Sequence, residues 1–166
     1  MARIGFIGGG SLVWIPTFTQ DLLRAPELAG STMVLMDIDS ASVEMMGAYS
    51  RRIIEAGGGR IEVVTTTDRD AALEGADFVV STFMAGGHKA WAKDLNIAHS
   101  YGIQHPKGMS VGPGGLLQGL KAVPQLLDLA WAMERICPEA PLFNFTNPMS
   151  SISLGLQRHS AIKTVG

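Results

Sequence analysis

Three groups of residues in this chain have the types and spacing to do chemistry. The first is Ile4-Gly5-Phe6-Ile7-Gly8-Gly9-Gly10-Ser11, an apolar run closed by a glycine turn. Glycine lets the backbone reverse sharply and lets an anion approach main-chain N–H groups, and the dipole of a following helix favours that negative charge. Gly8, Gly9, Gly10 and Ser11 are therefore candidates to hold a pyrophosphate. Val13 stands where a third glycine would complete G-x-G-x-x-G, so the turn alone is an incomplete fingerprint. The second group is Asp37, at the end of the next apolar run. A carboxylate there accepts hydrogen bonds from ribose hydroxyls and repels a 2′-phosphate, which points to NAD rather than NADP. The alternative is that Asp37 or Asp39 caps a helix opening near Ser40.

The third group lies in loops after later apolar runs. Phe83-Met84-Ala85-Gly86-Gly87-His88-Lys89 is read as a loop, in which Gly86 and Gly87 suit close passage beside a nicotinamide. Lys89 would offer a cation to a substrate oxygen, with an ordinary solvated lysine as the equal alternative. Asn147, in Asn144-Phe145-Thr146-Asn147-Pro148, carries a carboxamide that donates and accepts, which suits a polyhydroxylated ligand. Gly108 to Gly115 either presents amides at the start of a long helix or is simply a flexible loop leading into it.

These groups need a scaffold that brings strand ends together. Apolar, β-branched runs alternate with segments of helical period, the pattern of a doubly wound parallel α/β sheet of Rossmann type with helices on both faces. Strands are expected over Arg3 to Gly8, Thr32 to Ile38, Ile61 to Thr66, Asp77 to Thr82, Pro141 to Phe145 and Ile162 to Val165. Helices are expected over Pro16 to Arg24, Ser40 to Ala56 with Ser40 as N-cap, a short turn Asp68 to Leu73, Gly115 to Arg135 and Ser150 to His159. Pro124 should kink or end the fourth of these. Gly57 to Gly59 should stop the second, although as a glycine cluster, like Gly8 to Gly10, Gly86 to Gly87 and Gly112 to Gly115, they also point to a loop that approaches a ligand.

With 166 residues and 46% hydrophobic content, the chain is read as one globular domain, 1–166. A net charge of −2 gives no electrostatic pull toward nucleic acid or an anionic membrane, and neither is expected as a partner. Cys137 is the single cysteine, which with the absence of a cleavage signal makes the cytoplasm the expected compartment. His88, His99, His105 and His159 show no metal-ligand spacing, so no metal is placed on this chain. No G-x-S-x-G elbow and no P-loop is present, which removes support for serine hydrolase chemistry. Leu116, Leu117, Leu120, Leu126, Leu127, Leu129, Trp131 and Met133 exceed one core-facing stripe. Either the long helix is buried all round or its surplus face makes the chain a homo-oligomer.

The sequence resembles the NAD- and divalent-metal-dependent glycoside hydrolases of family 4, nearly end to end. The resemblance is carried by Ile7 to Ser11 with Trp14 and Pro16, Asp37-Ile38, Thr67-Asp68-Arg69, Gly75 to Val79, Gly86-Gly87, Tyr101-Gly102, Gly112 to Gly115, Pro124 with Leu127-Asp128, and Asn144 to Pro148. It implies transient oxidation of a sugar at C3 by NAD, elimination of the glycosidic oxygen, and reduction back. By the same resemblance Gly8 to Ser11 hold the pyrophosphate, Asp37 the ribose, Gly86 and Gly87 line the nicotinamide, and Asn147 holds the sugar of a small-molecule glycoside. The family's metal-binding cysteine and histidine and its tyrosine base lie beyond the position matching Gly166. The divalent metal, manganese, is thus expected only with a second half, and this chain alone is expected to bind NAD without turnover. Phospho-glycosidase members carry an arginine in the loop where this chain has His88 and Lys89. The readings set beside this one are the cofactor half of a 2-hydroxyacid dehydrogenase and a non-catalytic NAD-binding module.

Overall fold

Strands screened from water on both faces read as continuous apolar runs, and six such runs pair in parallel here. The computed structural model describes residues 1–166. In chain order the elements are β1 (Arg3–Ile7), α1 (Trp14–Arg24), β2 (Thr32–Met36), α2 (Ser40–Ala56), β3 (Glu62–Thr66), α3 (Arg69–Leu73), β4 (Phe78–Ser81), α4 (Gly87–Ser100), α5 (Gly112–Ile136), β5 (Leu142–Asn144), α6 (Met149–His159) and β6 (Thr164–Val165). The sheet order is β3-β2-β1-β4-β5-β6, with every pair parallel, and the sense in which successive strands are added reverses at β1 and β4. This is the doubly wound order, in which a crevice opens at the carboxyl ends of β1 and β4.

Alternate strand residues face opposite layers. Phe6, Met33, Leu35 and Val80 pack with Ile15, Val43 and Met46 of α1 and α2 on one side. Val34, Val79 and Leu142 pack with Leu73, Leu126, Leu129, Met133, Ile152 and Leu156 of α3, α5 and α6 on the other. Full burial of such side chains is worth roughly 1.5–3 kcal/mol each, so these two layers set the sheet rigidly enough to present its edge loops.

Three expectations are corrected. Gly87, His88 and Lys89, read as part of a loop, instead open α4, which runs on to Ser100 through a stretch for which no element was expected. Its inward face carries Asp94 and Ala98 as the buried residues, too small and too polar to give an apolar period. The long helix does not stop or break at Pro124, and runs unbroken from Gly112 to Ile136. Pro124 lacks an N–H to donate toward Leu120, but both residues are solvent-facing, while Ala122, Leu126, Leu129 and Ala130 are held in the core around the gap. The N-cap of α2 is Asp39, not Ser40.

Gly57 does stop α2, donating to Ile53 O at 2.9 Å. That glycine cluster precedes β3, at the edge of the sheet away from the crevice, and besides ending α2 it makes room for the Leu23 side chain of α1, which a Cβ on Gly59 would overlap. Nor is α5 buried all round: Leu116 and Leu120 are 66% and 67% exposed. With Val111 and Val123 they line an open groove of about 500 Å³. No helix is long and apolar enough to cross a membrane.

Candidate cofactor site

At the end of β1 the chain passes between β2 and β4 with no room for side chains. The N–H groups of Gly8 and Gly9 donate to the same acceptor, Met36 O, at 2.9 and 2.7 Å. The Thr82 hydroxyl donates to Gly8 O at 3.0 Å from the other side. Gly8 has φ +100°, and a Cβ there would stand 2.8 Å from Phe83 N. At Gly9 a Cβ would stand 2.7 Å from Met36 N, so backbone rather than a yielding side chain enforces the glycine.

Gly10 N–H donates to Asp37 Oδ2 at 3.0 Å. Ser11 N–H donates to Gly8 O at 3.1 Å, and the Ser11 hydroxyl accepts from Trp14 N–H at 3.2 Å. All four amides of Gly8 to Ser11 are thus satisfied within the chain. The next two, of Leu12 and Val13, have no partner in the chain. Both residues are exposed, at 70% and 72%, immediately before α1. Unpaired amides at a helix start can accept an anion. Glycine spacing reports where a backbone is crowded and not which amides stay free, so Leu12 and Val13 read in the sequence as apolar spacers.

The two aspartates after β2 divide the work. Asp39 Oδ1 accepts from Ala41 N–H at 3.1 Å and its Oδ2 from the Ser42 hydroxyl at 2.7 Å, which caps α2. The Ser42 hydrogen bond holds the Asp39 carboxyl below its ordinary value of 3.8. Asp37 takes Gly10 on one oxygen and Asp39 N–H, at 3.1 Å, on the other, and is only partly buried. Each carboxylate oxygen retains a lone pair for a ligand hydroxyl.

Across the crevice, Gly86 and Gly87 have φ +79° and +67° and open α4. A Cβ on Gly87 would meet nothing within 4 Å, so its requirement is conformational, whereas one on Gly86 would stand 2.7 Å from Ala90 Cβ. Lys89 is exposed on the first turn of α4 and belongs to none of the chain's ion pairs. Asn147 Oδ1 accepts from the Ser110 hydroxyl at 2.9 Å, which leaves its NH₂ free to donate. Asn144, 2% exposed, instead accepts from the Ser81 hydroxyl and from Thr146 N–H, locking the end of β5 to β4. Ser110, which the sequence offered only as part of a glycine-rich loop, is therefore a positioning group for Asn147. That loop is folded back on its helix, since a Cβ on Gly115 would stand 2.6 Å from Ser110 C.

No three His, Cys, Asp or Glu side chains come together as a metal cage. Cys137 lies buried after α5, and burial pushes its thiol up. The residues present do not fit a divalent metal site by themselves.

A family model described as family 4 glycosyl hydrolase matches residues 3–166. An α-galactosidase of Bacillus subtilis (strain 168) is 31% identical over 167 residues, covering 100% of this chain and 39% of that protein. A probable 6-phospho-β-glucosidase of the same organism is 37% identical over 166 residues, covering 98% of this chain and 37% of its own length. Among solved structures, the 6-phospho-β-glucosidase of Thermotoga maritima with manganese, NAD⁺ and glucose-6-phosphate superposes with a TM-score of 0.89 at 26% identity, over 100% of this chain and 39% of that one. The chain spans less than two fifths of the length of these relatives.

Proposed function

The chain belongs to the family 4 glycosyl hydrolases, and from that premise we propose that it is the NAD-binding portion of an enzyme that cleaves a glycosidic bond by transient oxidation of the sugar. The observation that carries this reading is the pair of unpartnered amides of Leu12 and Val13 at the switch point, beside a glycine turn tied to Asp37. Those amides and the positive end of α1 hold the pyrophosphate. Gly8, Gly9, Gly10 and Ser11 shape the turn that aims them.

Asp37 offers its remaining lone pairs to the adenosine ribose hydroxyls, and its charge selects against a 2′-phosphate. Gly86 and Gly87 let the backbone pass close to the nicotinamide. Bound there, the cofactor supplies reversible two-electron oxidation at a hydroxyl-bearing carbon. The free NH₂ of Asn147 and the ammonium of Lys89 orient the sugar hydroxyls on the nicotinamide side. The divalent metal falls to residues other than these 166. We place the protein in the cytoplasm as a homo-oligomer, supported by its lone reduced cysteine and the exposed leucines of α5.

The test is Val13→Pro. Val13 has φ −92°, somewhat beyond the proline window, so the change removes one free amide at a modest backbone cost, which a thermal melt of the variant measures. NAD affinity by calorimetry should fall about tenfold, the equivalent of roughly 1.4 kcal/mol. Wild type is expected to bind NAD without hydrolysing glycosides when NAD⁺, Mn²⁺ and reductant are supplied. No NAD binding by wild type, or unchanged affinity in Val13→Pro, would overturn the reading.

A further inference from the structure

Lys121 of α5 and Asp94 of α4 form the most buried ion pair of the chain, through Nζ and Oδ2, and neither residue belongs to the site described above. Asp94 is 8% exposed. A carboxylate that far from water is stable as an ion only with its partner in place, and loss of the partner leaves an uncompensated buried charge. The pair therefore fastens α4 to α5. On the α5 side the anchor is firm, because Leu126, Leu129 and Met133 sit in the core. On the α4 side only Asp94 and Ala98 are fully buried, with Trp91 and Leu95 half-buried and the Trp91 indole N–H donating to Lys107 O at 2.7 Å, so the ion pair is the one charged tie that fixes α4 against α5.

The stem of Lys121 has a second neighbour. Its Cδ lies 3.7 Å from the point where a Cβ on Gly86 would stand. Gly86 is the N-cap of α4, in the left-handed conformation and without a side-chain cap bond. Its closest other neighbour, Ala90, rides on the same helix. The Gly86–Gly87 turn is tied on one side to the end of β4, through Gly87 N–H to Met84 O and the buried Ala85, and on the other side to α4, which Lys121 holds through Asp94.

We propose that Lys121, acting through Asp94, is a positioning residue for the Gly86–Gly87 turn and so for the nicotinamide half of the dinucleotide. This rests on the assignment of that turn to the nicotinamide made above. The adenosine and pyrophosphate half is held across the switch point by Leu12, Val13 and Asp37, none of which touches the pair. Lys121 therefore has a signature that a general loss of stability lacks: NAD binding should fall while ADP-ribose binding, which has no nicotinamide, should not.

The experiment is calorimetry of NAD and ADP-ribose on the 166-residue chain and its variants. Lys121→Met should weaken NAD binding about tenfold and change ADP-ribose binding less than twofold, and Lys121→Arg, which keeps the charge, should restore NAD binding to within about threefold of wild type. If Lys121→Met does not fold, the Asp94→Asn/Lys121→Met double variant removes both charges and should show the same split. Wild-type NAD affinity in the folded Lys121→Met chain or in the double variant would overturn the proposal, as would parallel loss of both ligands. A wild-type chain that binds ADP-ribose and NAD equally would instead overturn the assignment of the turn to the nicotinamide.

Discussion

Asp37 Oδ2 accepts the Gly10 N–H at 3.0 Å, so the carboxylate at the end of β2 and the turn at the end of β1 are one rigid unit. Asp37→Ala removes the proposed ribose acceptor and also frees the turn. NAD affinity should fall by roughly 1.5–3 kcal/mol, the range for a charge-assisted hydrogen bond. Asp37→Asn keeps an acceptor without the charge and should narrow the preference for NAD over NADP. Calorimetry with both nucleotides reads this, and an unaltered NAD to NADP ratio in Asp37→Asn would remove the carboxylate from cofactor selection.

Gly9 tests the crowding at the turn. A Cβ there meets Met36 N at 2.7 Å and Leu35 Cβ at 2.8 Å, both parts of the buried strand β2. Gly9→Ala should therefore abolish NAD binding and also destabilise the fold, by about 1–3 kcal/mol as for other overpacked sites. The phosphate turn and the core strand cannot be perturbed separately at this position. Urea melts give the second quantity, and a wild-type midpoint would show that the turn relaxes without moving β2.

Acid sensitivity follows from Asp39. Its carboxyl is held below 3.8 chiefly by the Ser42 hydroxyl. A value depressed in the folded state stabilises fully above the unfolded value, and that stabilisation is lost as pH falls through the folded one. Ser42→Ala should raise the Asp39 value toward 3.8 and move the acid-unfolding midpoint upward. Carboxyl-carbon NMR titration follows the first change and far-UV circular dichroism against pH the second. An Asp39 titration identical in the variant would mean that the hydroxyl does not set it.

The exposed leucines of α5 predict association. Leu116 and Leu120 are separated by one helical turn and both exceed 60% exposure. Sedimentation velocity over a concentration series should show self-association of wild type and a monomer for Leu116→Glu/Leu120→Lys. A wild-type monomer at every concentration would dismiss the apolar face as an oligomer contact.

What could be read directly from the residues was whatever depends on neighbours in sequence. Apolar runs bounded by glycine or polar residues locate the six strands, because a strand buried on both faces leaves a continuous record in its own side chains. Gly8, Gly9 and Asp37 were legible because a tight turn after a strand and an acid at the next strand end recur at local spacings. The tertiary structure alone decided which amides remain free. Gly8 and Gly9 spend theirs on Met36 O and Gly10 spends its own on Asp37, partners that arrive only when β2 pairs with β1, and the amides left free are those of Leu12 and Val13. It also separated Asp37 from Asp39, which differ in role through Gly10 and Ser42 rather than through residue type. Helix α4 was hidden for the same reason: its buried face includes a charge, Asp94, whose partner Lys121 comes from another helix. Pro124 reads as a helix kink or stop, yet α5 continues past it because core residues on either side hold the helix across the missing hydrogen bond.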